Sequence, residues 1–148
     1  MSVVSDSKSP LTHVPVLARD VPEVLIGNRD GVYVDATFGR GGHTRLVLKH
    51  LGRKARLFAF DRDRQAVASA VSLIDSRFTM IASAFSNMKE KLAGFGIEKV
   101  DGILMDLGIS SPQIDDPARG FSFRADGPLD MRMDQTCGPT ASTWLFTA

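Results

Sequence analysis

The sequence predicts an α/β fold in which a parallel sheet carries helices on both faces. Short apolar strands alternate four times with helix-like segments, and helical crossovers between strands specify parallel pairing. Ile103, Leu104 and Met105 are apolar without alternation, as expected for a strand covered on both faces. The 148 residues are 43% hydrophobic and 24% charged, which suits one globular domain and excludes a collagen-like fibre, a low-complexity linker and a disordered tail.

The predicted elements follow one another closely along the chain. Residues 1–12 are expected to be a disordered lead-in, and apolar spacing predicts a helix over 14–27 that Pro22 weakens. Strands are predicted at 32–36, 55–60, 77–82 and 100–106, and helices at 43–51, 63–74 and 87–93. Asn87 and Glu90 have a spacing close to that of a capping box. Residues 107–136 predict a long loop, and a last helix is expected from about Thr140.

Four strands make only part of a doubly wound sheet. In the common strand orders the fourth strand lies beside the first and further strands follow beyond it. Here the fourth strand would be an edge although it is apolar on both faces, which is a liability that whole proteins cover. We therefore expect a sheet truncated after the fourth strand, in the N-terminal part of a longer protein or a truncated copy of one.

Composition also limits the compartment and the kind of site. The single cysteine, Cys137, excludes an internal disulfide framework and a multi-cysteine metal site. The first ten residues are polar and lack the apolar block of a secretory signal. No apolar stretch is long enough to cross a bilayer. A cytoplasmic protein without a membrane partner and without a metal is the expectation.

The net charge of +1 conceals an uneven distribution. Residues 39–64 hold eight basic and two acidic residues, and residues 101–134 hold three basic and seven acidic ones. A basic sector beside an acidic loop suits an anionic partner next to a cationic ligand, although an ordinary solvated surface has the same composition.

A glycine cluster follows the first predicted strand, in the sequence from Asp35 to His43 (DATFGRGGH). Glycines at such a turn permit positive φ and let a ligand approach the backbone. Ligands of open α/β sheets bind outside the carboxyl ends of the strands. A tight turn without any ligand is the other interpretation, since a glycine-rich turn alone is a weak signal.

An acidic residue follows the second strand at the distance that nucleotide-binding folds use. Asp61 lies 19 residues beyond Gly42, and a carboxylate there accepts hydrogen bonds from ribose hydroxyls. The alternative is a helix cap; Asp63 is the better cap and Asp61 the better ribose ligand. The turn and the acid together favour a cofactor that contains adenosine.

The spacing leaves the identity of that cofactor open. The dinucleotide fingerprint needs a third glycine or alanine, where this chain has Thr44. Asp35 would repel a pyrophosphate but attract a sulfonium and an amino group, which favours S-adenosylmethionine over NAD. In the alternative interpretation, Asp35 anchors the loop by accepting hydrogen bonds from backbone N–H groups.

Asp106 opens a third motif after the fourth strand, DLGISSPQ, which ends at Gln113. Methyltransferases that act on exocyclic amines place an Asp or Asn and loop carbonyls there. Such acceptors localise the lone pair of the amine and orient it toward the methyl group, so that catalysis is mainly positioning and electrostatics. A Gly/Ser/Pro-rich turn that simply closes the strand is the alternative.

Four segments together resemble one family: DATFGRGGHT, FDRD, DGILMDLGISSPQ and RGFSFRADGPLDMRMD. They are similar to the bacterial ribosomal RNA small-subunit methyltransferase H family, from about His13 to Ala148. The resemblance implies a Rossmann-like, class I S-adenosylmethionine-dependent methyltransferase fold and N4-methylation of a cytosine in 16S rRNA. It implies the small ribosomal subunit as partner. The family's cofactor contacts fall on Gly41, Gly42, His43, Asp61, Phe85, Asp106 and Gln113, and no catalytic residue is assigned.

Each of these positions also has an ordinary structural interpretation. Phe85 either packs on an adenine or anchors the next helix in the core. His43 reaches the cofactor or is an ordinary first-turn residue, and Gln113 binds the cofactor or braces its loop. The segment 119–124 (RGFSFR) suits phosphate contact and base stacking, or forms a lid whose phenylalanines pack on the domain. Met131 and Met133 are expected to pack.

The chain departs from the family in length. Family members are about twice as long and continue into a helical substrate-binding insertion and further strands. Residues 13–148 are therefore expected to be the partial, cofactor-binding part of the domain, with weak or no methyl transfer by themselves. A non-catalytic fragment and an NAD-binding oxidoreductase module remain as alternatives.

Overall fold

A computed structural model describes residues 14–148, so the expected lead-in at residues 1–12 lies outside the described residues. Four strands form one sheet in the order β3-β2-β1-β4. They are β1 (Val32–Asp35), β2 (Arg56–Asp61), β3 (Phe78–Ala82) and β4 (Gly102–Leu104). Every neighbouring pair is parallel. The predicted α/β class and the place of the fourth strand beside the first are confirmed.

Within residues 14–148 the structure also has six α-helices. They are α1 (Asp20–Leu25), α2 (Gly42–His50), α3 (Arg64–Ser69), α4 (Met88–Ala93), α5 (Ser111–Asp115) and α6 (Ala141–Thr147). Short 3-10 turns lie at Ala70–Ser72, Phe85–Asn87 and Pro117–Arg119. None of the helices within residues 14–148 is both long and apolar enough to span a membrane.

Helices cover both faces of the sheet because strand side chains alternate between them. Tyr33 and Leu57 point to the face where residues of α2 complete a buried cluster. Val34, Phe58 and Phe60 point to the opposite face, where they pack with Leu92 of α4. These strand residues are all at most 1% exposed. This two-sided core fixes the sheet and leaves the carboxyl ends of its strands open to the loops.

Two helices are shorter than the sequence predicts. The predicted helix 14–27 is observed only as α1, because Leu17 adopts a φ of +50° that an α-helix does not contain. The predicted helix 63–74 becomes α3 followed by the 3-10 turn Ala70–Ser72. The helices predicted at 43–51 and near Thr140 are observed within one or two residues of the expected bounds.

The capping box predicted at Asn87 is wrong. Asn87 ends a 3-10 turn with φ −93° and ψ 9°, and its side chain makes no cap hydrogen bond. An N-cap needs extended backbone there. Its amide instead donates to Ser83 Oγ at 3.2 Å.

The region after the fourth strand also differs from its prediction. The strand expected at 100–106 has only three paired residues. Ile103 is 44% and Met105 is 47% exposed, so in residues 14–148 this apolar segment is not covered on both faces. The loop expected at 107–136 contains α5 and the 3-10 turn Pro117–Arg119, because Ser110 and Gln113 cap a helix that the glycines and prolines conceal.

Candidate functional site

A hollow of about 540 Å³ lies at the carboxyl ends of the strands, within the size range of small-molecule sites. It borders the segments that follow all four strands. Its lining consists of Ala36, Thr37, Gly39, Asp61, Arg62, Ala66, Ser83, Ala84, Phe85, Ser86, Asp106, Leu107, Gly108, Ile109, Ser110, Gln113 and Met133. Four of the seven sequence-predicted residues therefore meet in one place: Asp61, Phe85, Asp106 and Gln113.

The glycine of the turn after β1 that faces the hollow is Gly39. It has a φ of +55°, and a Cβ added to it would have no neighbouring atom within 4 Å. Gly108 lines the hollow too, and a Cβ there would also meet open space. Bare backbone thus borders the hollow at two positions, which is the arrangement that close approach of a ligand requires.

Gly41 and Gly42 do not line the hollow. Gly41 is the N-cap of α2 with a φ of +73°, and its N–H donates to the Phe38 carbonyl oxygen at 2.7 Å. A Cβ on Gly41 would lie 2.8 Å from the Phe38 ring, and one on Gly42 would lie 3.4 Å from Pro15. Gly41 is needed by the turn itself, whereas a Cβ on Gly42 would make only an ordinary contact. The contact of either glycine with a cofactor stays a prediction.

Asp61 is held in a fixed orientation at the rim of the hollow. Its Oδ2 accepts the Gly39 N–H at 2.9 Å, and its Oδ1 accepts the Asp63 N–H at 2.9 Å. A carboxylate has about four acceptor positions, so each oxygen has capacity for one more donor. The structure therefore places Asp61 and the glycine turn in one site, with Gly39 as the member of the turn that touches it.

Asp63 has the capping role that the sequence predicts. It is the N-cap of α3, and its Oδ1 accepts the Gln65 N–H at 2.9 Å. Its Oδ2 accepts from Gln113 Nε2 at 2.7 Å and from Arg119 Nη2 at 2.8 Å. Burial by itself raises the pKa of Asp63, but the hydrogen bonds from Gln113 and Arg119 outweigh burial and lower it.

Asp35 anchors the turn from below and does not line the hollow. It is 1% exposed. Its carboxyl group accepts from Thr44 Oγ1 at 2.6 Å and from the Thr37 N–H at 3.1 Å. Burial raises the pKa of Asp35, and this effect is larger than that of the two hydrogen bonds, which lower the pKa. Of the two roles predicted for Asp35, the contacts support loop anchoring.

Asp106 lines the hollow, and His43 lies next to it, behind the lining. The Asp106 N–H donates to Thr37 Oγ1 at 2.8 Å, and its side chain is 49% exposed. His43 is buried, with Nε2 2.8 Å from the Val16 carbonyl oxygen and Nδ1 3.7 Å from Asp106 Oδ2. His43 thus reaches the hollow only through Asp106, and its cofactor contact stays a prediction.

Phe85 is a wall of the hollow. It opens the 3-10 turn after β3 and is 42% exposed. A ring with that exposure is not a core anchor, so the structure decides against that interpretation. The ring presents apolar area on which a planar base stacks favourably.

Gln113 both lines the hollow and braces its loop. Its Oε1 accepts the Ser110 N–H at 2.9 Å, and its Nε2 donates to Asp63 Oδ2. The side chain is 5% exposed. These two hydrogen bonds fix the orientation of the Gln113 amide. The bracing role predicted for Gln113 is therefore present in the structure.

Of the two interpretations of the 119–124 segment, phosphate contact is wrong for Arg119. That side chain is 2% exposed and pairs with Asp63. Phe121 is buried, whereas Phe123 is fully exposed. The alternative interpretation, in which the segment packs on the domain, holds for Arg119 and Phe121. Arg119 is buried against the Asp63 carboxylate, which is distant in sequence, and Phe121 is buried as well.

Sequence reasoning missed several residues of the site. Thr37 links β1 to Asp106, and Arg62 and Met133 line the hollow. Nothing in the local pattern identifies Thr37 or Arg62, and Met133 was expected to pack. The Ser110–Gln113 pair was detectable, because a Ser followed three residues later by Gln is a helix-start signature.

The sheet and hollow define an α/β class of protein with bare backbone and a fixed carboxylate at adjoining strand ends. The model of the MraW methylase family matches residues 10–148. The chain belongs to this family.

Curated relatives agree with this assignment. "Ribosomal RNA small subunit methyltransferase H" of Burkholderia cenocepacia (strain HI2424) is 56% identical over 138 residues, which are 93% of this chain and 44% of the relative. The protein of the same name from Burkholderia pseudomallei (strain K96243) is 55% identical over 136 residues, 92% of this chain and 44% of the relative. The chain therefore spans less than half the length of these relatives.

A solved structure from Clostridium thermocellum, whose name places it with the rRNA methylases, is 29% identical with a TM-score of 0.43. The match covers 48% of this chain and 40% of that one.

Proposed function

We propose that the hollow binds S-adenosylmethionine, and that this chain is the cofactor-binding part of an enzyme that methylates N4 of a cytosine in 16S rRNA. Membership in the MraW methylase family and the names of the Burkholderia relatives support the reaction class and the rRNA substrate. The observation that carries the proposal is the bare Gly39 backbone bonded to the fixed Asp61 carboxylate in one hollow.

The residues present fit the cofactor. The two oxygens of Asp61 have free acceptor positions for the two ribose hydroxyls, and the half-exposed Phe85 ring offers a stacking surface for adenine. Gly39 and Gly108 leave room for close approach. Thr44 stands where the dinucleotide fingerprint needs a third glycine or alanine, which disfavours NAD.

When bound, the cofactor supplies an electrophilic methyl group on its sulfonium. The task of the chain is to orient the poorly nucleophilic exocyclic amine of the base. Asp106 borders the hollow with half of its side chain exposed, and its backbone is fixed by the Thr37 hydroxyl. A carboxylate there accepts a hydrogen bond from the amine and localises the lone pair on nitrogen. Catalysis of this kind rests on positioning and electrostatics.

In this proposal residues 13–148 are a partial domain. Further strands and a helical substrate insertion belong to the longer enzyme, whose partner is the small ribosomal subunit in the cytoplasm. Half-exposed Ile103 in the edge strand β4 and half-exposed Met105 directly after it support this division, since an apolar edge favours pairing with another strand.

Calorimetric titration tests cofactor binding. Asp61→Ala is expected to weaken S-adenosylmethionine binding at least tenfold, about 1.4 kcal/mol. Asp101→Ala is the matched control, because Asp101 Oδ2 accepts the Val32 N–H at the other end of β1. Binding of NAD in place of S-adenosylmethionine, or equal affinities for wild type and Asp61→Ala, would overturn the assignment.

Transfer of a radiolabelled methyl group to small ribosomal subunits tests the reaction. Weak or no transfer is expected from the 148-residue chain alone, and N4-methylcytosine in 16S rRNA is expected from a full-length relative. Methylation of another base by the relative would refute the N4-cytosine specificity. Full activity of the chain alone would refute both the division of the domain and the alternative of a non-catalytic fragment.

A further inference from the structure

We propose that Asp63 and Arg119 are positioning residues, which hold Gln113 and its loop as one wall of the cofactor site. The inference rests on the proposed function, because it concerns the same hollow. Neither side chain lines the hollow. Both act through Gln113 and Met133, which do.

The contacts form one closed cluster. Asp63 Oδ2 accepts from both Gln113 Nε2 and Arg119 Nη2, at 2.7 and 2.8 Å. The same Arg119 nitrogen donates to the Met133 carbonyl oxygen at 2.8 Å. A single carboxylate oxygen thus connects the start of α3 to residues 50 and 56 positions later in the chain.

Burial makes this cluster hard to replace with water. The three side chains of Asp63, Gln113 and Arg119 belong to residues that are at most 5% exposed. Removing one partner of a buried charge pair leaves the other charge unpaired, which is strongly destabilising. The loop therefore stays on α3 only while both charges are present.

Asp63 also connects the cluster to the proposed ribose ligand. Its N–H donates to Asp61 Oδ1 at 2.9 Å, so Asp61 and the loop share one support. The amide of Gln113 has its orientation fixed by Asp63 at one end and by the Ser110 N–H at the other. Loss of the Asp63 contact frees that amide to rotate away from the hollow.

The first test measures loop order without any ligand. Hydrogen exchange of the Ser110 amide, which donates to Gln113, reports the position of the loop. Arg119→Met is expected to speed this exchange at least tenfold. Arg77→Met is the matched control, because Arg77 also joins a carboxylate, that of Asp75, to a backbone carbonyl, that of Leu51. It is expected to leave the Ser110 amide unchanged.

The second test separates positioning from general stability. Arg119→Met is expected to weaken S-adenosylmethionine binding at least fivefold, whereas Arg77→Met loses stability with unchanged affinity. Arg119→Lys, which keeps the charge, is expected to recover part of the affinity. Asp63→Asn is a milder variant should Arg119→Met fail to fold, because asparagine caps α3 as well as aspartate does.

Unchanged Ser110 exchange in the folded Arg119→Met or Asp63→Asn variant would overturn the inference. So would an equal loss of affinity in Arg77→Met. If the wild-type chain binds no S-adenosylmethionine, the proposed function fails, and the exchange measurement still decides whether Arg119 and Asp63 hold the loop.

Discussion

Gly39→Ala tests directly whether the ligand approaches bare backbone. Gly39 has a φ of +55°, in the left-handed region that alanine adopts at a cost of about 1–2 kcal/mol. The added methyl would meet no protein atom within 4 Å, so the substitution brings no clash in the free chain. It would instead project into the hollow that Gly39 lines.

A matched glycine separates backbone strain from the effect on binding. Gly96 has a φ of +71° and also has no neighbour within 4 Å of an added Cβ, but it follows α4 and does not line the hollow. Both alanine variants are expected to lose about 1–2 kcal/mol of unfolding free energy. Only Gly39→Ala is expected to lose affinity as well.

The loss of affinity follows from overpacking. Inserting a methyl group into a filled, well-packed site costs about 1–3 kcal/mol, which corresponds to a roughly 5-fold to 150-fold weaker Kd. Urea denaturation gives the stability, and calorimetric titration with S-adenosylmethionine gives the Kd. Equal affinities for Gly39→Ala and Gly96→Ala would refute the reasoning, because the backbone at Gly39 would then not contact the ligand.

The remaining predictions concern stability, and urea denaturation measures all of them. Phe58→Ala is expected to cost about 3–5 kcal/mol because the ring is fully buried, whereas Phe123→Ala, at a fully exposed ring, is expected to change stability by less than about 0.5 kcal/mol. Burial raises the pKa of Asp35, so the wild type loses stability as the pH rises from about 4 through the folded pKa. The stability of Asp35→Asn is expected to increase relative to the wild type over that pH range. A stability difference between the two proteins that does not depend on pH would contradict this. At Asp63 burial is outweighed by hydrogen bonds that lower the pKa. The wild type is therefore expected to be more stable than Asp63→Asn by the full difference above about pH 4, and to lose this difference as the pH falls through the folded pKa. A stability difference that stays constant with pH would contradict this.

The strands and the main helices were predictable because their signals are local. The apolar run from Leu57 to Phe60 identifies a strand, and the glycines that follow β1 identify a turn, each within a few residues. Parallel pairing followed from alternation, since helical crossovers make neighbours parallel, and the place of the fourth strand beside the first followed from the common strand orders. The cap at Asp63 was also local, because an N-cap bonds to a backbone N–H two residues on.

The long segment after β4 was not predictable in the same way. Its helix α5 has five residues, too short for a periodic pattern, and glycines and prolines around it indicate a loop. Arg119 resembled an exposed phosphate ligand because its acceptor, Asp63, lies 56 residues earlier. No window of sequence shows that pairing.

By itself the sequence determined the α/β class, the parallel sheet and the acidic and glycine-rich residues at its strand ends, because these depend on periodicity and turn chemistry. Only the tertiary structure decided that Gly39, and not Gly41 or Gly42, borders the hollow, and that Arg119 is buried against Asp63. Which backbone is exposed and which charge is paired depends on contacts between distant segments, and those exist only once the sheet has brought the loops together.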